Sequence, residues 1–184
     1  GPRMARINMV EAINMALRQE MMRDADVVIL GEDVGADGGV FRVTEGLLHE
    51  FGPDRIIDTP LSELALVGAG VGMAAYGLKP VVEIQFMAFL YEGLEQLYAH
   101  ASRIRARSRG RFSCPLVVRT PYGIGIKGPE LHSESSEAVL CHMPGLKVVV
   151  PSNPYNAKGL LASAIRDPDP VVFMEPSRLY RSIK

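Results

Sequence analysis

The sequence predicts an α/β fold: an open, mainly parallel sheet with helices on both faces. Three observations predict it. Six short apolar runs rich in β-branched residues recur along the 184 residues. Each run is continuous and does not alternate apolar with polar, the pattern of a strand covered on both faces. Segments with helical spacing separate the runs, so the strands must be joined by right-handed crossovers.

In chain order, Val10, Ile13, Leu17 and Met21 follow helical spacing, with Asn8 as N-cap. Val27-Val28-Ile29-Leu30 is the first strand. Thr44-Glu45 opens a short helix through Leu47 and Leu48, and Arg55-Ile56-Ile57 is the second strand. Ser62 caps a helix rich in small residues from Glu63 to about Tyr76. Pro80-Val81-Val82-Glu83-Ile84 is a strand, and a long amphipathic helix is expected over 89–107. Leu116-Val117-Val118 is followed by a short helix over 133–141 and by Lys147-Val148-Val149-Val150. Asn153 caps a helix over 154–165 with Pro154 at its first position, and Val171-Val172-Phe173-Met174 is the last strand.

Composition narrows the function. Hydrophobic residues make up 47% and charged residues 22%, which is not a disordered composition. No apolar run approaches the roughly 18 residues of a membrane span. Lys plus Arg (20) against Asp plus Glu (21) leaves a formal charge of −1, with no global attraction for nucleic acid or anionic membrane. The basic stretch Arg103, Arg105, Arg107, Arg109 and Arg111 has no interleaved aromatics and reads as a solvated or partner-facing helix end. Two cysteines, Cys114 and Cys141, form no zinc or redox pattern and fit a reducing, cytosolic compartment. Gly1-Pro2-Arg3 reads as a tag scar, residues 4–184 as one domain.

Open parallel sheets bind ligands beyond the carboxyl ends of their strands. The segments expected there are 31–35, 58–63, 85–89 and 120–123. Glu63, at a strand-to-helix turn, is either a first-turn acid stabilised by the helix dipole or a buried carboxyl able to share a proton. His132, before a helix, is either a surface residue or a proton carrier; His100 and His142 read as ordinary. Gly70-Val71-Gly72-Met73-Ala74-Ala75 matches a dinucleotide-loop pattern, which would suit an NAD enzyme. It lies mid-helix, however, where small residues serve close packing. No Gly-x-x-x-x-Gly-Lys loop is present, so a phosphorylated cofactor would need another chain for its phosphates.

Several segments stand in an order that resembles one family. They are Leu30-Gly31-Glu32-Asp33-Val34-Gly35, Gly38-Gly39-Val40-Phe41-Arg42, Asp58-Thr59-Pro60-Leu61-Ser62-Glu63, Glu83-Ile84-Gln85-Phe86 and Leu131-His132-Ser133-Glu134-Ser135. Together they look like the N-terminal half of the beta subunit of the thiamine-diphosphate-dependent component of 2-oxo acid dehydrogenase complexes. The likeness is strongest to the bacterial pyruvate dehydrogenases, with branched-chain 2-oxo acid and acetoin dehydrogenases as near alternatives. It runs over essentially the whole chain.

The resemblance implies a transketolase-type pyrimidine-binding domain, with the family's C-terminal domain absent from this sequence. The cofactor would lie between chains in an assembly of two alpha and two beta subunits. This chain would hold the aminopyrimidine, and the alpha subunit the diphosphate and Mg²⁺. Glu63 would hydrogen-bond the pyrimidine and favour the tautomer that removes the thiazolium C2 proton. Leu61, Gln85 and Phe89 would line the pocket, and Glu32 would belong to its water network. His132 would serve acyl transfer to the lipoyl domain of the acyltransferase component. Some relatives also bind K⁺; the corresponding positions are Leu116, Val117, Ala164, Asp167 and Asp169, with Val117 and Ala164 departing from the usual side chains.

Overall fold

Six parallel strands form one sheet in the order β2-β1-β3-β4-β6-β5. They are β1 (Val27–Gly31), β2 (Ile56–Asp58), β3 (Lys79–Glu83), β4 (Val117–Tyr122), β5 (Lys147–Val149) and β6 (Val171–Pro176). The structure is a computed structural model and describes residues 6–182; the expected scar at Gly1-Pro2-Arg3 lies outside them. β1, β3, β4 and β6 are almost wholly buried, as continuous apolar runs require.

Helices cover both faces. On one face α1 (Met9–Arg23) packs against α6 (Pro154–Arg166), and Ile13, Leu17, Leu161 and Ile165 meet Val81, Val117 and Phe173. On the other, α3 (Glu63–Ala75) and the helical stretch after β3 bury Val67, Leu90 and Leu97 against Val82, Val118 and Met174. The ends of α1 and α6 form as their cap residues dictate. The Asn8 side chain accepts from Glu11 N–H while the Glu11 carboxylate accepts from Asn8 N–H, a complete capping box. Asn153 accepts from Asn156 N–H ahead of Pro154.

Four local expectations are corrected. The single helix over 89–107 is instead a 3₁₀ turn at Met87–Gly93, a π turn at Gln96–Ala101 and α4 (Ile104–Arg107). Gly93 sits so close to α3 that a Cβ there would lie 2.8 Å from Val67 Cγ2 and 3.2 Å from the Glu63 carbonyl. The wide turn returns where Ser102 N–H reaches back to the Leu97 carbonyl. α2 (Leu47–Phe51) begins after Thr44, not at it, because Thr44 spends its hydroxyl on the Val34 carbonyl and Gly46 takes a left-handed φ of 82°. α5 (Glu137–Cys141) begins four residues after Ser133, whose hydroxyl goes to the Gly128 carbonyl. Ser62 precedes α3 without a side-chain cap bond.

The chain runs from β1 outward to β2, then crosses back to β3 on the opposite side of β1. That reversal opens a crevice at the carboxyl ends of β1 and β3, where ligands of such sheets sit.

Candidate functional site

Glu63 is the first residue of α3 and only 5% exposed, beside that crevice. Glu32 follows β1 and is half-buried. Its carboxyl is pushed up from the ordinary value, first by burial, then by the negative charges of Asp33 and Glu63. Of these causes Glu63 is the smallest. Thr59 leads from β2 toward α3; its N–H donates to the Gly31 carbonyl at 3.0 Å, and its buried hydroxyl has no partner. A buried hydroxyl without a partner is costly. Asp58 ties the loop after β1 to β2 by accepting from Gly35 N–H at 2.6 Å and Ala36 N–H at 3.0 Å.

The opposite wall is aromatic. Gln85 and Phe86 follow β3 and are half-buried, and Phe89 stands on the 3₁₀ turn. The Phe86 and Phe89 rings meet edge-on at 5.4 Å. The His132 ring lies 4.6 Å from Phe86 and 5.2 Å from Phe89, so a loop histidine far along the chain joins the same wall. His132 Nδ1 sits 2.7 Å from the Glu130 carbonyl and 3.2 Å from the Pro129 carbonyl. A carbonyl only accepts, so Nδ1 carries hydrogen and the neutral ring keeps its lone pair on Nε2.

The fold thus brings Glu63, Glu32, Gln85, Phe89 and His132 to the carboxyl end of the sheet. Leu61 is 66% exposed and packs on nothing enclosing within this chain. The five positions matched to a K⁺ site lie at the other end of the strands. Asp167 pairs with Lys147 at 2.6 Å and Asp169 with Arg105 at 2.7 Å. The Leu116 carbonyl accepts from Val171 N–H and the Ala164 carbonyl from Asp167 N–H. Among the described residues no three His, Cys, Asp or Glu side chains converge as a metal site. Gly70, Gly72 and Ala75 lie inside α3, away from any strand end. A Cβ on Gly70 would meet Leu116 Cδ1 at 2.8 Å, so this glycine serves packing against the sheet and not a dinucleotide.

Below the site lies a cluster that the sequence did not suggest. Glu83 and Arg119 are directly opposite on β3 and β4. Arg119 donates to Glu83 at 2.7 Å and bidentately to Glu175 on β6 at 2.8 Å, and Tyr180 donates to Glu175 at 2.7 Å. All four are sealed from solvent. Burial raises the Glu83 carboxyl above its ordinary value despite Arg119. The only sequence signal was a charge near the carboxyl end of each of three apolar runs. Tyr180 also packs on Phe41, which packs on Phe86, so the cluster supports the aromatic wall.

Comparison with known proteins identifies relatives of this chain. A family profile described as "Transketolase, pyrimidine binding domain" matches residues 5–183. The "Pyruvate dehydrogenase E1 component subunit beta" of Acholeplasma laidlawii is 55% identical over 98% of this chain and 55% of its own length. The "2-oxoisovalerate dehydrogenase subunit beta" of Bacillus subtilis is 51% identical over 98% of this chain and 55% of its own length. The chain therefore spans about half the length of the curated relatives it matches. A solved structure titled "Split gene transketolase, inactive beta4 tetramer" superposes with a TM-score of 0.73 over 91% of this chain and 50% of that one, at 17% identity. That likeness speaks for the fold alone.

Proposed function

The chain belongs to the family of transketolase-type pyrimidine-binding domains, and from that premise we propose that it is the cofactor-activating half of a 2-oxo acid dehydrogenase beta subunit, acting on pyruvate. The observation that carries the proposal is Glu63: a nearly sealed carboxyl at the first turn of α3, beside the crevice between β1 and β3. The unpartnered Thr59 hydroxyl and the Phe89 face suit the flat, polar-edged aminopyrimidine of thiamine diphosphate. When bound, thiamine diphosphate supplies the electron sink for loss of CO₂ from the 2-oxo acid.

This chain's own part is to hold and hand over protons and to exclude water. Glu63 would present its carboxyl to the pyrimidine ring nitrogen. A carboxyl sealed from water exchanges its proton with the group lying against it. Glu32, already repelled by Glu63, would take part through bound water. Gln85 and Phe89 would orient the ring, with Leu61 completing the pocket once a partner covers it. His132 would act through Nε2 in acyl transfer to a lipoyl domain.

The absence of a phosphate loop supports placing the diphosphate and Mg²⁺ on an alpha subunit. Exposed Leu61, Leu64, Ile124, Ile126 and Leu131 rim the site and suit burial against such a partner, in an assembly of two alpha and two beta chains. A monovalent cation at Leu116, Val117, Ala164, Asp167 and Asp169 has less support, since Lys147 and Arg105 hold both carboxylates. No helix among the described residues is long and apolar enough to cross a membrane. The two free thiols suit the cytoplasm of a bacterium or archaeon.

Two measurements test the reading. The full-length beta chain, reconstituted with alpha, should release CO₂ from pyruvate faster than from branched-chain 2-oxo acids in a substrate panel. A preference for 2-oxoisovalerate would move the assignment to the branched-chain class. The 184-residue chain alone should show no micromolar heat of binding with thiamine diphosphate and Mg²⁺ in calorimetry. Micromolar binding would overturn the division of the cofactor between chains.

A further inference from the structure

We propose that Tyr91 is a positioning residue for His132, a latch that fixes the loop carrying this histidine against the aromatic wall. The proposal rests on the acyl-transfer reading of His132 given above.

The loop over 123–136 is held in an unfavourable shape. Lys127, Glu130 and Leu131 all have positive φ, at 55°, 29° and 64°. Side chains other than glycine resist that region, so the loop needs anchors to keep this form. One anchor lies at its near end, where Gly123 N–H donates to the Glu134 carbonyl at 2.9 Å. A second is internal, from the Ser133 hydroxyl to the Gly128 carbonyl. The third ties the loop to the wall by hydrogen bonds. Tyr91 donates to the Glu134 carboxylate at 3.3 Å and is closely hydrogen-bonded to the Ser136 hydroxyl. A phenol has a single hydrogen; with Tyr91 donating to Glu134, Ser136 must donate to Tyr91.

Tyr91 stands on the same 3₁₀ turn, Met87–Gly93, as Phe89. One short rigid element therefore carries both the ring that His132 touches and the hydroxyl that clasps the loop beyond it. The contacts of His132 with Phe86 and Phe89 are edge-on ring contacts, which orient but hold weakly. The two hydrogen bonds at Tyr91 supply the remaining constraint. They keep Nε2 aimed from the wall while backbone carbonyls hold Nδ1.

The test uses the full-length beta chain reconstituted with alpha. Tyr91→Phe keeps the ring and removes both hydrogen bonds. Acyl transfer to a lipoyl domain should fall about three- to tenfold, the worth of a lost hydrogen bond. Decarboxylation read with an artificial electron acceptor should stay within about twofold. Ser136→Ala should behave in the same way. Tyr91→Phe combined with His132→Ala should be no slower than His132→Ala alone, since a positioning residue has nothing left to position. An additive further loss would make Tyr91 merely structural and overturn the proposal. Diethyl pyrocarbonate modification of His132, followed by peptide mass spectrometry, reads the latch without any acyl-transfer assay. Its rate should rise several-fold in Tyr91→Phe. An unchanged rate with unchanged acyl transfer sinks the latch. Equal loss of both activities in His132→Ala sinks the acyl-transfer reading instead, while the modification rate still judges the latch.

Discussion

Replacing Glu63 by Gln in the full-length beta chain, paired with alpha, is expected to cut CO₂ release from pyruvate by about 100-fold or more, the usual worth of a positioned acid or base. The substitution keeps the shape of the side chain and the hydrogen-bonding edge of its amide. What it removes is the exchangeable proton. Glu63 is 5% exposed, so water does not readily substitute for it. Its other role is local: an acid in the first turn of α3 is favoured by the helix dipole, worth roughly 0.3–1 kcal/mol. That loss is small, so the variant should fold and pair normally. The measurement is single-turnover decarboxylation at saturating cofactor, with circular dichroism confirming the fold. Near wild-type release of CO₂ would remove Glu63 from the chemistry and leave it the first-turn acid that its position alone would justify.

Parts of the molecule were legible because their causes are local. Asn8 with Glu11, and Asn153 with Pro154, are complete helix-start signals within four residues, and α1 and α6 begin as they dictate. The apolar runs located all six strands to within a few residues, and for β1, β3, β4 and β6 the near-complete burial is written in their own sequence. The stretch over 87–107 was not legible. Its winding changes where Gly93 approaches the Glu63 carbonyl, a contact made across the fold. The site divides in the same way. Glu63 could be found from its turn and neighbours, but the joining of His132 to Phe86 and Phe89 depends on a loop more than 40 residues downstream. The Glu83, Arg119, Glu175 and Tyr180 cluster was invisible for a further reason. Each charge near the end of an apolar run reads as a solvated strand end, and only the register of three parallel strands makes them partners.

That cluster leads to the largest expected effect on stability. Arg119 is the one cation between two sealed carboxylates, Glu83 and Glu175, with Tyr180 as the further donor. Arg119→Met leaves a side chain of suitable length and no charge. Two buried acids then lose their counter-ion, which for a broken buried ion pair costs about 3–5 kcal/mol. For a chain of this size the melting temperature should fall by roughly 10 °C. The pH dependence separates charge from packing. In the folded protein Glu83 already has its carboxyl raised above 4.5, so folding favours its protonated form. A group raised on folding contributes stability that is full below its unfolded value and is lost as pH rises through its folded value. Removing Arg119 strengthens that preference for the proton. The variant's deficit should therefore shrink toward about pH 5 and widen toward about pH 8, in thermal unfolding followed by circular dichroism. A deficit equal at both pH values would mean that Arg119 acts by filling volume, and the ionic account of the cluster would fail. Glu83→Gln should cost far less than Arg119→Met. It removes the more weakly held of the two acids, which has one hydrogen bond from Arg119 against two for Glu175, and leaves Arg119 with Glu175 as a neutral, bidentate pair.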